Sequence, residues 1–266
     1  MNIRTKFRQK ALEFLIKNGI FATRTTKPEL LNEFFNKINP CLPESDLIRV
    51  GGRSDGGYLL PDDLEGIEAC FSPGVSQVAN FELELAARGI PCFLADYSVS
   101  APPVMHQLFD FEKKYLGAKN DDVFLTLEDW VKLKSPNGSE YILQMDIEGA
   151  EYAVILHTPD ELLKKFRIIV MEFHDLEALF DRNGFELISL TFGKLLKYFE
   201  IVHMHPNNCR PAIGCGEYST PQVMEITFLR RDRMLSKRQN TQFPHPLDVI
   251  SFPEFPDVSL PKCWRA

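Results

Sequence analysis

From about residue 67 onward the chain alternates short apolar runs with stretches of helical spacing, and this alternation restricts the fold more than any other feature. Apolar runs too short for buried helices, each followed by apolar residues at 3.6 spacing, are the mark of β-α units. Such units build a largely parallel sheet with helices on both faces. Seven runs qualify: 67–72, 91–95, 123–126, 141–145, 167–171, 200–204 and 223–229. Helices are expected over about 76–88 and 104–116, from 127, from the end of the fourth run to about 166, and across 187–198. A Pro-, Asn- and Gly-rich stretch, not a helix, separates the last two runs, which predicts an antiparallel pair at the sheet edge. The expected fold class is therefore α/β: a Rossmann-like, seven-stranded, mostly parallel sheet flanked by helices, with its last strand antiparallel.

The two ends of the chain read differently. Phe7, Ala11, Phe14 and Leu15 recur at helical spacing and Gly19 is a natural stop, so 6–19 is expected to be an amphipathic helix. A second helix is expected over 28–37, with Thr26 as cap, Pro28 in the first turn and Leu30, Leu31, Phe34 and Phe35 on its apolar side. Beyond Arg233 the prolines at 244, 246, 253, 256 and 261, interleaved with Phe243, Phe252, Phe255 and Trp264, predict an extended tail wrapped on the surface. The expected organisation is an N-terminal helical extension (1–45), a Rossmann-like domain (46–233) and a C-terminal tail (234–266). The extension and the tail are candidates for substrate choice or oligomerisation.

Net charge excludes some functions. At −7 over 266 residues the molecule lacks the positive field that binds a polyanion, so nucleic acid is not expected. The basic run Arg230, Arg231, Arg233, Lys237 and Arg238 reads as a solvated element end. Six cysteines without a C-x-x-C pair indicate neither a zinc ribbon nor a disulfide framework, and fit a reducing cytoplasm. The basic residues Arg4, Lys6, Arg8 and Lys10 lead into a segment that Glu13 and Lys17 interrupt, so no signal peptide is expected. No run approaches the roughly 18 apolar residues of a membrane span.

In an open α/β sheet, ligands bind beyond the carboxyl ends of the strands. After the first run, Ser72-Pro73-Gly74-Val75-Ser76 offers a tight turn, with Gly74, Val75 and Ser76 presenting backbone N–H groups to a ligand carboxylate or phosphate. Asp96, with Tyr97 beside it, ends the second run. It stands 22 residues after Gly74, close to the ~20 expected between a glycine turn and an acid that holds ribose hydroxyls. After the fourth run, Asp146, Glu148 and Glu151 place three carboxylates within six residues. A helix start accounts for part of this, but not for Asp146, which lies on the strand side of the turn. Glu172 and His174 end the fifth run, and His203, His205, Asn207 and Asn208 follow the sixth. Oxygen and imidazole donors from adjacent strand ends can converge on a divalent cation, with Asp146, Glu172 and His174 as its ligands, or supply a general base. Before the first run, the Gly-rich loop 51–57 lacks the Lys-Ser/Thr of a P-loop. It reads as a hairpin turn or as a lid in which Arg53 or Asp55 meets the charged end of a ligand.

These residues carry a resemblance. Leu-Thr-Leu-Glu-Asp-Trp at 125–130 followed by Gln-Met-Asp-Ile-Glu-Gly-Ala-Glu-Tyr at 144–152 resembles the paired motifs of FkbM-type (Methyltransferase 21) methyltransferases. The likeness extends to 72–81, to Glu172-Phe173-His174 and to 203–209, covering about 49–233. It implies S-adenosylmethionine as methyl donor and, as acceptor, an oxygen nucleophile on a sugar or related small molecule. It implies further that Gly74 and Asp96 hold the donor, while Asp146 lies near its methyl group. The first-strand motif departs from the family's acidic-x-Gly-x-x-Gly pattern. Methyl transfer needs in-line approach of the acceptor oxygen and its deprotonation. His174 or His203 is the expected base. Asp146 and Glu172 are expected to bind the acceptor or a divalent cation that acidifies its hydroxyl, and Glu148, His205, Asn207 and Asn208, with Arg53 and Asp55 from the loop, to bind the acceptor. Two other readings stand beside this one: a metal-dependent hydrolase using Asp146, Glu172, His174 and His205, and a non-catalytic ligand-binding module on the same fold.

Overall fold

The computed structural model describes residues 3–20, 22–53, 56–236 and 238–265; the side chains of Ile3, Arg4 and Arg8 are not among what it describes. Asp55 lies outside these residues. A seven-stranded sheet is built from β1 (Ala69–Pro73), β2 (Cys92–Ala95), β3 (Phe109–Glu112), β4 (Tyr141–Met145), β5 (Phe166–Phe173), β6 (Phe199–Pro206) and β7 (Met224–Arg230). The order across the sheet is β6-β7-β5-β4-β1-β2-β3. Neighbours from β3 to β5 run parallel, while β7 is antiparallel to both β5 and β6. The order 3-2-1-4-5 is that of a doubly wound sheet, here with β7 inserted between β5 and β6. The expected Rossmann-like fold is what the chain adopts.

Every residue of β4, β5 and β6 is buried, as in a sheet covered on both faces. Helix α1 (Ile3–Lys17) opens the chain, and on one face of the sheet Phe71, Leu143, Met145, Ile169 and Phe173 meet the helices α2 (Pro28–Phe35), α4 (Leu127–Lys134), α5 (Glu151–His157), α6 (Asp160–Leu163) and α7 (Arg182–Leu195). On the other, Cys70, Ile142, Ile168 and Val170 meet α3 (Asn80–Ala87) and an antiparallel hairpin, Leu47–Val50 with Tyr58–Pro61. Residues 51–53 and 56–57 thus lie between the two strands of a hairpin. The tail passes from a short pairing with Cys41–Leu42 to a buried end. There Trp264 sits edge-on to Phe34 and Phe35, at 6.1 and 5.3 Å between ring centres, so tail and N-terminal extension meet. Among the described residues no helix is long and apolar enough to cross a membrane, and all six cysteines are free thiols.

Three local expectations are corrected. The stretch 104–116 is not helical: Val104, Leu108 and Phe111 mimic helical spacing, but Phe-Asp-Phe-Glu at 109–112 alternates and pairs as the edge strand β3. The run 123–126 is consequently not a strand of the large sheet; Phe124–Thr126 pairs in parallel with Tyr115–Gly117 in a separate ribbon. The helix expected from 76 begins only at Asn80, because Gly74 (φ +93°) and Ser76 (φ +42°) hold the chain in an open turn. Smaller differences reflect local chemistry. Pro159 separates α5 from α6, and Thr26 donates to the Leu179 carbonyl at 2.7 Å instead of capping α2.

Candidate active site

The strand order reverses between β1 and β4, and the crevice this opens holds a cavity of about 430 Å³ lined by Gly74, Ser76, Asp96, Ser98, Tyr115, Leu116, Phe124, Asp146, Ile147, Glu148 and Ala150. Gly74 is required by geometry. A Cβ there would collide with the backbone carbonyl of Asp146, so β1 and β4 approach at this point as closely as a bare backbone allows. Its N–H donates to Ala95 O at 2.9 Å, which ties the turn to the end of β2.

Asp96 is buried and holds the turn as well as facing the cavity. Its carboxylate accepts from Ser76 N at 2.8 Å and from Ser98 N and Oγ, both at 2.7 Å. A carboxylate offers about four lone-pair sites, so one remains for a ligand hydroxyl. The apolar side of the cavity comes from the ribbon that follows β3. Tyr115 and Phe124 stand 5.9 Å apart, and Tyr97, which does not line the cavity, packs on Tyr115 at 5.4 Å.

At the β4 end, the turn of Asp146-Ile147-Glu148-Gly149 is clamped from inside by Glu151. This fully buried side chain accepts from Ile147 N at 3.1 Å and from Gly149 N at 3.2 Å, and the same Oε1 lies 3.1 Å from His174 Nδ1. With Nδ1 turned to Glu151, His174 presents Nε2 to Asp146 (3.7 Å) and Glu148 (3.5 Å). Burial alone would lower the pKa of His174. The hydrogen bond to Glu151 and the charges of Glu151, Asp146 and Glu148 outweigh it and hold the imidazole above its ordinary value. Donor atoms of Asp146, Glu148 and His174 all lie within 4.8 Å of one another, the spacing a divalent cation needs.

The other strand-end residues are elsewhere. Glu172 accepts from Asn207 Nδ2 at 2.9 Å and is not part of that trio. His203 Nε2 lies 2.9 Å from Asp248 of the tail, and His205 binds Asp248 and the Val249 carbonyl at 3.5 and 3.1 Å. Asn208 exchanges two hydrogen bonds with the Phe252 backbone, at 2.7 and 2.9 Å. His203, His205 and Asn208 therefore fasten the tail to the sheet edge, and the set Asp146, Glu172, His174 and His205 is not assembled. Arg53, exposed, lines a separate groove with Arg49, Leu247 and Val249. Sequence reasoning missed Ser98, Tyr115, Leu116, Phe124 and Glu151. Only Glu151 carried a signal, as the third acid of the 146–151 motif.

Residues 99–202 match the family model of the methyltransferase FkbM domain. No curated protein matches the chain. Among solved structures, the 23S rRNA methyltransferase ErmE is similar over 80% of this chain and 72% of its own, at 11% identity and a TM-score of 0.34.

Proposed function

We propose, on the match of residues 99–202 to the methyltransferase FkbM domain, that the chain transfers a methyl group from S-adenosylmethionine to a hydroxyl of a sugar or related small molecule. The observation that carries this reading is the cavity at the β1/β4 reversal. It joins a glycine that no other residue can replace, a buried acid one strand over and a wall of two aromatic rings. These features fit an adenosine: rings for its base, the remaining acceptor site of Asp96 for a ribose hydroxyl, and the 74–76 turn for the part beyond C5′. When bound, the donor supplies an electrophilic methyl group on a sulfonium.

The protein's own work is orientation and proton removal. Glu151 fixes the His174 ring so that Nε2 faces Asp146 and Glu148, two residues that line the cavity. An acceptor hydroxyl held there by Asp146 gives its proton to Nε2, and the resulting imidazolium is stabilised by the three surrounding carboxylates. His203 does not suit this role, because its Nε2 is taken up by Asp248 of the tail. A divalent cation on Asp146, Glu148 and His174 is a second way to acidify the hydroxyl, favoured by the spacing of their donor atoms.

Turnover of methyl-labelled S-adenosylmethionine against a panel of neutral saccharides, with and without magnesium or manganese, tests the reading. Asp146→Asn should lose at least roughly 100-fold in rate with an unchanged melting curve, since a hydroxyl no longer oriented against Nε2 forfeits about that much. Full activity in that variant would remove Asp146 from the reaction.

A further inference from the structure

A second chamber, of about 310 Å³, shares Gly74, Ser76, Asp146 and Glu148 with the cavity but none of its aromatic side chains. Tyr58, Gln144 and Glu82 line it, and among the described residues it is lined by no lysine, arginine or histidine. Glu82 enters from α3 and is only 3% exposed. Its Oε1 meets the Ser72 hydroxyl, which also lies 2.6 Å from Gln144 Oε1, while Gln144 Nε2 donates to Tyr58 at 3.3 Å. Ser72 has one proton to give, and the amide oxygen can only accept. A proton on Glu82 therefore completes the chain Glu82 to Ser72 to Gln144. Burial acts in the same direction, raising the Glu82 pKa against the opposing hydrogen bond from Ser72. The other oxygen, Oε2, is buried without a hydrogen-bond partner among the described residues. An unmade hydrogen bond of this kind is costly unless a ligand completes it.

We infer that this chamber receives the amino-acid end of the methyl donor and that Glu82 Oε2 accepts a hydrogen bond from its α-ammonium. The inference rests on the donor reading above: an adenosine in the aromatic cavity sends its thioether arm across the shared Gly74–Asp146 junction into the chamber. The ligand group must be a hydrogen-bond donor, because Oε2 is an acceptor both when Glu82 is ionised and when its proton sits on Oε1, as the chain to Gln144 requires. It is best a cation, because the charged groups around it are the carboxylates of Asp146 and Glu148. Glu82 thus reaches the carboxyl end of β1 from the next helix and bonds to Ser72 there.

Two probes separate the subsites: S-adenosylhomocysteine, and 5′-methylthioadenosine, which keeps the adenosine and thioether but lacks the amino-acid end. Calorimetric titration of the wild type, Glu82→Leu and Glu82→Gln should show S-adenosylhomocysteine weakened roughly tenfold or more by the leucine, as for loss of a hydrogen bond to a charged group. Glutamine, which keeps the size, the bond to Ser72 and an acceptor oxygen, should weaken it less. Methylthioadenosine should bind all three proteins alike. Unchanged S-adenosylhomocysteine affinity in both variants would overturn the inference and leave the chamber to the acceptor, and so would equal weakening of both probes. Failure of both probes to bind the wild type would instead overturn the donor reading itself, and this subsite with it.

Discussion

Two ends of the same sheet carry the same kinds of side chain and do different things. At the β1–β4 end, Asp146 and Glu148 line a cavity of about 430 Å³, and His174, held by Glu151, stands against both. At the β6–β7 edge, His203 and His205 meet Asp248 with all three side chains under 10% exposed, and the tail closes over them. The difference is topological. Parallel neighbours whose connections leave in opposite directions part at their ends and open a crevice. An antiparallel pair such as β6–β7 has no such gap, and its polar ends become an anchoring point for the tail. Imidazole and carboxylate near a strand end signal a reaction centre only where the strand order reverses.

The largest effect expected from breaking this contrast is at Gly74. Gly74→Ala forces a Cβ onto the Asp146 carbonyl at a φ of +93°, and overpacking of this kind costs about 1–3 kcal/mol or more. Thermal unfolding should show a much lower melting temperature, and ligand binding should disappear even in molecules that remain folded. A variant that melts and binds like the wild type would mean that the strand ends do not approach as described.

Asp248→Ala strikes the other end. It leaves His205 charged and buried without its partner, and breaking a buried pair costs about 3–5 kcal/mol. Chemical denaturation should register that loss, while affinity for S-adenosylhomocysteine stays within about twofold, because the two sites share no partner. A fall in affinity to match the loss of stability would join the two ends into one functional unit.

Smaller effects sharpen each end in turn. Phe124→Ala removes one ring from the cavity wall, and loss of a base-stacking aromatic costs about 1–3 kcal/mol. The affinity for methylthioadenosine should fall accordingly, and an unchanged value would take the base out of that wall. The tail anchor should respond to alkali. Burial opposes the charge on His205, but the hydrogen bond to Asp248 and the charges of Glu225 and Asp248 raise its pKa to about 9. A folded-state pKa above the unfolded one gives stability that is full below the ordinary value of about 6.5. It is lost as pH rises through about 9. Asp248 moves the other way: despite its burial, His203 and His205 hold its pKa below normal. Its contribution is present above the usual carboxylate range and is lost only in stronger acid. Hydrogen exchange around 246–252, corrected for intrinsic rates, should show protection at pH 6.5 that declines towards pH 10. Constant protection across that window would mean that the histidines do not hold the tail.

The same physics governs how much the sequence discloses. Strand β4 is found at its expected bounds, and β5, β6 and β7 within a few residues of theirs, because strands covered on both faces appear as mostly apolar runs. Strand β3 is hidden, since an edge strand with Asp110 and Glu112 on one side lacks such a run, and Val104, Leu108 and Phe111 imitate a helix. The same stretch supplies Tyr115, so the misread segment and the unforeseen aromatic wall have one cause. Gly74, Asp96 and Asp146 are legible because spacing alone puts them at strand ends. Glu82 is not, because its importance comes from a meeting with Ser72 and Gln144 that only the folded chain makes. His203 and His205 are equally conspicuous in sequence, yet the tail that occupies them lies more than forty residues downstream.

The central claim is that the methyl donor binds in the crevice beyond β1, β2 and β4. The direct measurement is calorimetric titration of S-adenosylmethionine into the wild type, Asp96→Ala and Asp248→Ala, with circular dichroism confirming that each is folded. Saturable binding by the wild type, lost or sharply weakened in Asp96→Ala and retained in Asp248→Ala, is the predicted result. Binding that survives Asp96→Ala, or that is absent from the folded wild type, would contradict it.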